Sequence, residues 1–69
     1  MSIFAKRLKE CRKNINKTQR EVATDLGMTD SGYQNYELAN REPNHQTTVK
    51  IADYFGVSVD YLLGRDDQR

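Results

Sequence analysis

Phe4, Leu8, Cys11 and Ile15 stand at i, i+4, i+7 and i+11, one apolar stripe that predicts a first helix starting near Ser2. Cys11 lies on that stripe and reads as a small core residue, not a reactive thiol. Thr18 and Glu21 then supply a T-x-x-E capping box, which opens a second helix with Val22, Ala23 and Leu26 on its inner face. Gly27 is the residue free to turn left-handed and end it. Thr29 caps a third helix, Met28 and Tyr33 are spaced as a hydrophobic staple across that cap, and Tyr33 and Tyr36 face inward.

The segment "LANREPN" reads as a loop, because Pro43 disfavours helix at the residue before it. Asn44 caps a fourth helix carrying Val49, Ile51, Ala52 and Phe55, which stops at Gly56. Ser58 caps a short fifth helix, with Val57 and Leu62 as a second staple and Gly64 as its end. The expected fold is therefore all-α, five short helices with no strand signal. One domain spans 1–64 and a polar tail or linker stub spans 65–69.

Size narrows the possible functions. A chain of 69 residues buries only about 60% of the surface that its unfolded form exposes, too little for a core and a deep cofactor pocket together. Its single Cys11 allows no internal disulfide and suits a reducing compartment. With His45 as the lone histidine, no metal site or cofactor is expected. No apolar run reaches the roughly 18 residues of a membrane span, and the start resembles no secretory signal. The expected setting is the cytoplasm.

The net charge of +1 hides a strong asymmetry. Lys6, Arg7, Lys9, Arg12, Lys13, Lys17 and Arg20 face only Glu10 in the first 20 residues, whereas the remainder has four basic residues against nine acidic ones. Such a split fits either a nucleic-acid or acidic partner, or a plain solvated helix face.

The third helix changes that balance. On a helical wheel Ser31, Gln34, Asn35 and Leu38 point away from the core, with Asp30 beside them at the amino end. A helix face that merely meets solvent usually carries Lys and Glu in i, i+4 pairs. This one carries short groups that donate and accept, and Gly32, which costs about 1 kcal/mol against Ala. Asn and Gln match the N6 and N7 edge of adenine, Ser matches several base edges, and Asp can accept from cytosine N4.

The order T-Q-x-E-V-A, L-G-M-T, Y-E and R-E-P, from "RLKECRKN" to "KIADYFGVSVDYLLG", resembles the Cro/phage-repressor-type helix-turn-helix family, also called xenobiotic-response-element-type regulators. The resemblance covers nearly the whole chain. It implies a lambda-repressor-like domain that binds a palindromic double-stranded DNA operator as a weak homodimer, with the third helix in the major groove. Asp30, Ser31, Gln34 and Asn35 would meet base edges. Lys17, Thr18, Gln19, Arg20, Asn40, Arg41 and Asn44 would hold the DNA backbone. Gln19 would also brace the start of the recognition helix. Lys6, Lys9 and Lys13 stay open between backbone contact and solvated face.

In similar proteins an arginine at the position of Arg12 reaches the residue at Glu37, which implies a structural ion pair between the first and third helices. Tyr61, Leu62 and Leu63 either form a two-fold interface or close the bottom of the core. Ala39 departs from the family, where glycine is common, so the third helix either runs on or meets a different loop. Asp30 departs as well, being either a selective reader or a cap on its own helix. The chain is either a complete small regulator or the first domain of a longer repressor.

No glycine-rich phosphate loop, nucleophile elbow or histidine-centred site points to an enzyme. A protein-binding module would show an apolar outer face and no basic arm. An antitoxin or a restriction-modification control protein would share the DNA-binding surface, and the residues cannot separate those roles.

Overall fold

The computed structural model describes residues 2–67. Met1, Gln68 and Arg69, which belong to the expected domain start and to the tail, lie outside the described residues. Among those described, the chain forms helices α1 (Ile3–Asn14), α2 (Gln19–Asp25), α3 (Asp30–Glu37), α4 (His45–Phe55) and α5 (Val59–Leu62).

Each helix begins where a short polar side chain can take a free backbone N–H. Ser2 caps α1, Thr29 caps α3, Asn44 caps α4 and Ser58 caps α5, each accepting from the amide three residues on. At α2 the box is reciprocal, with Glu21 N–H on Thr18 Oγ1 at 3.1 Å and Thr18 N–H on Glu21 Oε1 at 2.9 Å. Gly27, Gly56 and Gly64 turn the chain in the left-handed region after α2, α4 and α5.

Gly64 has a second constraint. A Cβ there would lie 2.7 Å from Ile3 Cγ2, so the turn also needs the space that glycine leaves.

The apolar faces meet in one core built from Phe4, Leu8, Cys11, Val22, Ala23, Leu26, Tyr33, Ile51, Ala52, Tyr61 and Leu62. Three details depart from the pattern. Ile15 does not extend the α1 stripe. The helix ends at Asn14, Asn16 turns left-handed at φ 57°, and Ile15 stays 42% exposed.

On α4, Thr48 is buried where the pattern emphasised Val49, which is half-buried. The Thr48 hydroxyl donates to the Asn44 carbonyl at 2.8 Å, so its polarity is satisfied inside the helix. Finally, α3 does not run on. Ala39 adopts φ 62° and performs the turn itself, a conformation that costs a residue with a Cβ about 1–2 kcal/mol.

Candidate nucleic-acid interface

Helix α3 has two faces in opposite states. On the inner face Tyr33 is fully buried and Tyr36 packs partly against the core. Glu37, at the last turn, receives Arg12 as a fork, Nε on Oε2 at 2.7 Å and Nη2 on Oε1 at 3.1 Å. Gln19 Nε2 adds a third bond to Oε1 at 3.0 Å, and Arg12 Nη1 also donates to the Lys17 carbonyl at 3.0 Å. One carboxylate thus fastens α1, the start of α2 and the end of α3 together. The Glu37 side chain is 2% exposed and that of Arg12 13%.

Charges buried this deeply persist only when they are paired and bonded. Burial alone would raise the Glu37 carboxyl, but the Arg12 hydrogen bonds, helped by Tyr33 and Gln19, hold it below the usual carboxylate range. Its bond to Glu37 raises Arg12 in turn, against the opposing effect of burial. The Tyr33 hydroxyl makes no hydrogen bond of ordinary geometry. Burial first, and the closeness of the Glu37 carboxylate second, push it far above the usual phenol range, so it remains protonated.

The outer face is the reverse. The side chains of Ser31 and Gln34 are exposed and make no hydrogen bond among the described residues. Half-buried Asn35 accepts weakly from Asn40 Nδ2 at 3.4 Å, while its carbonyl takes the amides of Asn40 and Arg41 at 3.0 and 3.4 Å. That knot holds the loop against the end of α3. It leaves the Arg41 side chain exposed and unpaired among the described residues. Gly32 fits the same economy of space, since a Cβ there would press on the capping Thr29 hydroxyl at 2.9 Å.

A capped seven-residue helix, a left-handed glycine turn and a capped eight-residue helix with a polar outer face form one continuous unit. Residues 5–67 match the family model described as a helix-turn-helix domain. The chain belongs to that helix-turn-helix family.

It is 42% identical over 64 residues to the HTH-type transcriptional regulator ImmR of Bacillus subtilis, which covers 93% of this chain and 50% of ImmR. It is likewise 42% identical over 59 residues to the cryptic phage CTXphi transcriptional repressor RstR of Vibrio cholerae, covering 86% of this chain and 53% of RstR. The chain therefore spans about half the length of these relatives. The P22 c2 repressor, solved in complex with a synthetic operator, has the same fold. Its TM-score is 0.86 at 23% identity, over 96% of this chain and 100% of that one.

Several residues expected at the helix-turn-helix surface are engaged within the protein. Lys17 Nζ bonds Asp25 Oδ2 at 2.7 Å, and the Tyr54 hydroxyl donates to the same oxygen at 2.6 Å. The Asp25 bond raises Lys17, and the Lys17 bond lowers Asp25. Thr18 spends its hydroxyl on the capping box, Asn44 gives its Oδ1 to the Thr47 amide at 2.8 Å, and Gln19 is held by Glu37. Arg20 Nε donates to Asp30 Oδ2 at 3.0 Å. Lys6, Lys9 and Lys13 remain exposed along a groove that also runs past Leu38 and Ala39.

The three apolar residues of the fifth helix divide. Tyr61 and Leu62 belong to this chain's own core, at 7% and 0% exposure, which favours closure of the core over its alternative, an interface. Leu63 alone presents its side chain, 49% exposed; Ile3, 53% exposed, lies against the following Gly64.

Sequence reasoning counted Arg7 only as charge. The structure places its guanidinium 4.3 Å from the centre of the Tyr61 ring, with bonds to the Tyr61 and Asp66 carbonyls and to Asp67 Oδ1. The described part of the polar tail is thereby tied to α1. Lys50 was also missed; its Nζ reaches the Leu26 carbonyl at 2.7 Å and satisfies the end of α2.

Proposed function

We propose that this chain is the operator-binding part of a transcriptional repressor, which reads double-stranded DNA by laying α3 in the major groove. The observation that carries the reading is the contrast within α3. Its inner face is fixed by the buried Arg12–Glu37–Gln19 knot, while Ser31 and Gln34 stand outside with their hydrogen-bonding capacity unspent. Polar groups held on a rigid support and left without protein partners suit base edges. The similarity to the transcriptional regulator ImmR, the repressor RstR and the operator-bound P22 c2 repressor supports the same reading.

In this reading Ser31, Gln34 and Asn35 discriminate between bases. Arg41 and Asn40, in the loop knotted to Asn35, grip the backbone, as does the remaining capacity of Thr18, Gln19 and Asn44. Lys17 contributes as part of a pair with Asp25, so its pull on phosphate is partly offset. Two copies sit on half-sites about 34–36 Å apart, one DNA turn. The exposed Leu63 of each copy supplies the apolar contact between them. An interface centred on two such side chains is far below the size of a stable dimer, so pairing completes on the operator.

Selection of bound duplexes from a randomised pool at low salt tests the reading. An enriched palindrome with half-sites one turn apart is the expected result. Binding that shows no sequence preference and merely fades with salt would refute it.

A further inference from the structure

We infer that Arg20 is a base-reading residue, specific for guanine, and that Asp30 is the positioning residue that holds it. The inference rests on the operator-binding reading above and reverses the roles that the family resemblance implies for these two side chains, Asp30 as reader and Arg20 as backbone contact.

Asp30 opens α3, at the head of the outer polar face. A bare carboxylate there fits poorly in a major groove. Guanine N7 and O6, adenine N7 and thymine O4 are all acceptors, and only amino groups suit a second acceptor. The structure does not leave the carboxylate bare. Arg20, second residue of α2, crosses the turn and donates Nε to Asp30 Oδ2 at 3.0 Å.

That single bond engages one edge of the guanidinium. Both Nη groups stay without a partner among the described residues, and the arginine side chain remains 82% exposed. Two parallel N–H donors on a planar group are what guanine O6 and N7 accept as a pair.

The pair contributes little as a stabilising device. Both partners are solvated, 82% and 42% exposed, and ion pairs in that setting are screened. Its geometric effect is larger. A free arginine loses the freedom of several torsions when it binds, and a carboxylate that fixes Nε removes part of that loss before the encounter. The negative charge that would have opposed phosphate is neutralised by the same bond. Arg20 and Asp30 thus convert an acidic start of α3 into a donor surface.

The test is the selected base pattern of four proteins: the unmutated chain, Arg20→Ala, Arg20→Lys and Asp30→Ala. The unmutated chain is expected to show a guanine at one half-site position. Arg20→Ala should cut that preference by roughly 5- to 150-fold, the discrimination of a good bidentate contact, and leave the other positions unchanged. Arg20→Lys should also lose the guanine while keeping the salt dependence, because lysine carries the charge without the planar fork. Asp30→Ala should weaken the same position and no other.

A uniform loss across all positions in Arg20→Ala, with rescue by lysine, would make Arg20 a phosphate contact and overturn the inference alone. A cytosine preference that vanishes in Asp30→Ala and survives in Arg20→Ala would restore Asp30 as the reader. No preference anywhere in the unmutated chain would overturn both this inference and the operator-binding reading beneath it.

Discussion

The two sides of α3 differ in what a mutation there should do, although they are only one helix diameter apart. Inside, Glu37 spends both oxygens on three bonds and is closed to water. Outside, the Ser31 and Gln34 side chains are exposed and have no partner among the described residues. The inner side therefore belongs to the stability of the domain and the outer side to its contacts. The contrast teaches that a polar residue's role is set by whether its bonds are completed within the fold.

The largest expected effect breaks the inner side. Arg12→Ala leaves the Glu37 carboxylate buried without its main partner and should cost about 3–5 kcal/mol, a large share of what a domain this small possesses. Thermal unfolding followed by circular dichroism reads it directly. An unchanged melting temperature would place the Arg12 contribution elsewhere. Acid probes the same knot. Glu37 has its carboxyl lowered in the fold, so its contribution is fully present above the ordinary carboxylate value. It is lost as pH falls through the lowered one. Denaturant unfolding should show stability falling on that acid limb, and Glu37→Gln should flatten it.

The next effect belongs to the outer side. Asn35→Ala should relax base preference at one operator position and cost about 1–3 kcal/mol on the preferred site. Arg41→Ala should weaken all sequences alike and reduce the salt slope by about 1. Titrations against several duplexes at two salt concentrations separate the two, and identical behaviour would erase the distinction between readers and anchors.

A smaller effect sharpens the boundary between the faces. Ala39→Gly should relieve the left-handed strain just past α3 and stabilise by about 1 kcal/mol, or roughly 4–8 °C in a domain of this size. Smallest of all, Gln34→Ala should leave the melting temperature nearly unmoved, within about 0.5 kcal/mol.

What was legible in the sequence follows the range of each interaction. The capping box at Thr18 and Glu21, the caps at Thr29, Asn44 and Ser58, and the glycine turns are rules written within a few residues, and the helices start and stop where those rules place them. Apolar spacing likewise located Leu8, Cys11, Val22, Tyr33 and Ile51 in the core.

Pairings between distant residues were legible only in part. The Arg12–Glu37 tie was suggested by resemblance alone. The Arg7 clamp on a segment 54 to 60 residues away depends on how α1 and α5 pack, which no periodicity encodes. The Lys17–Asp25–Tyr54 cluster and the Arg20–Asp30 bond arise in the same way, from elements brought side by side. Tyr61 and Leu62 stayed undecided in the sequence for the opposite reason. Their apolar character suited a surface or a core equally, and a four-residue helix is too short for spacing to decide.

The Glu37 knot also bears on how such a domain changes over generations. None of its bonds uses Ser31 or Gln34, so substitutions at those positions leave the support of α3 in place. A lineage built on this seam can replace its recognition residues one at a time without passing through an unfolded ancestor. The seam makes the outer face a region where new preferences can be tried at little risk to the protein's survival.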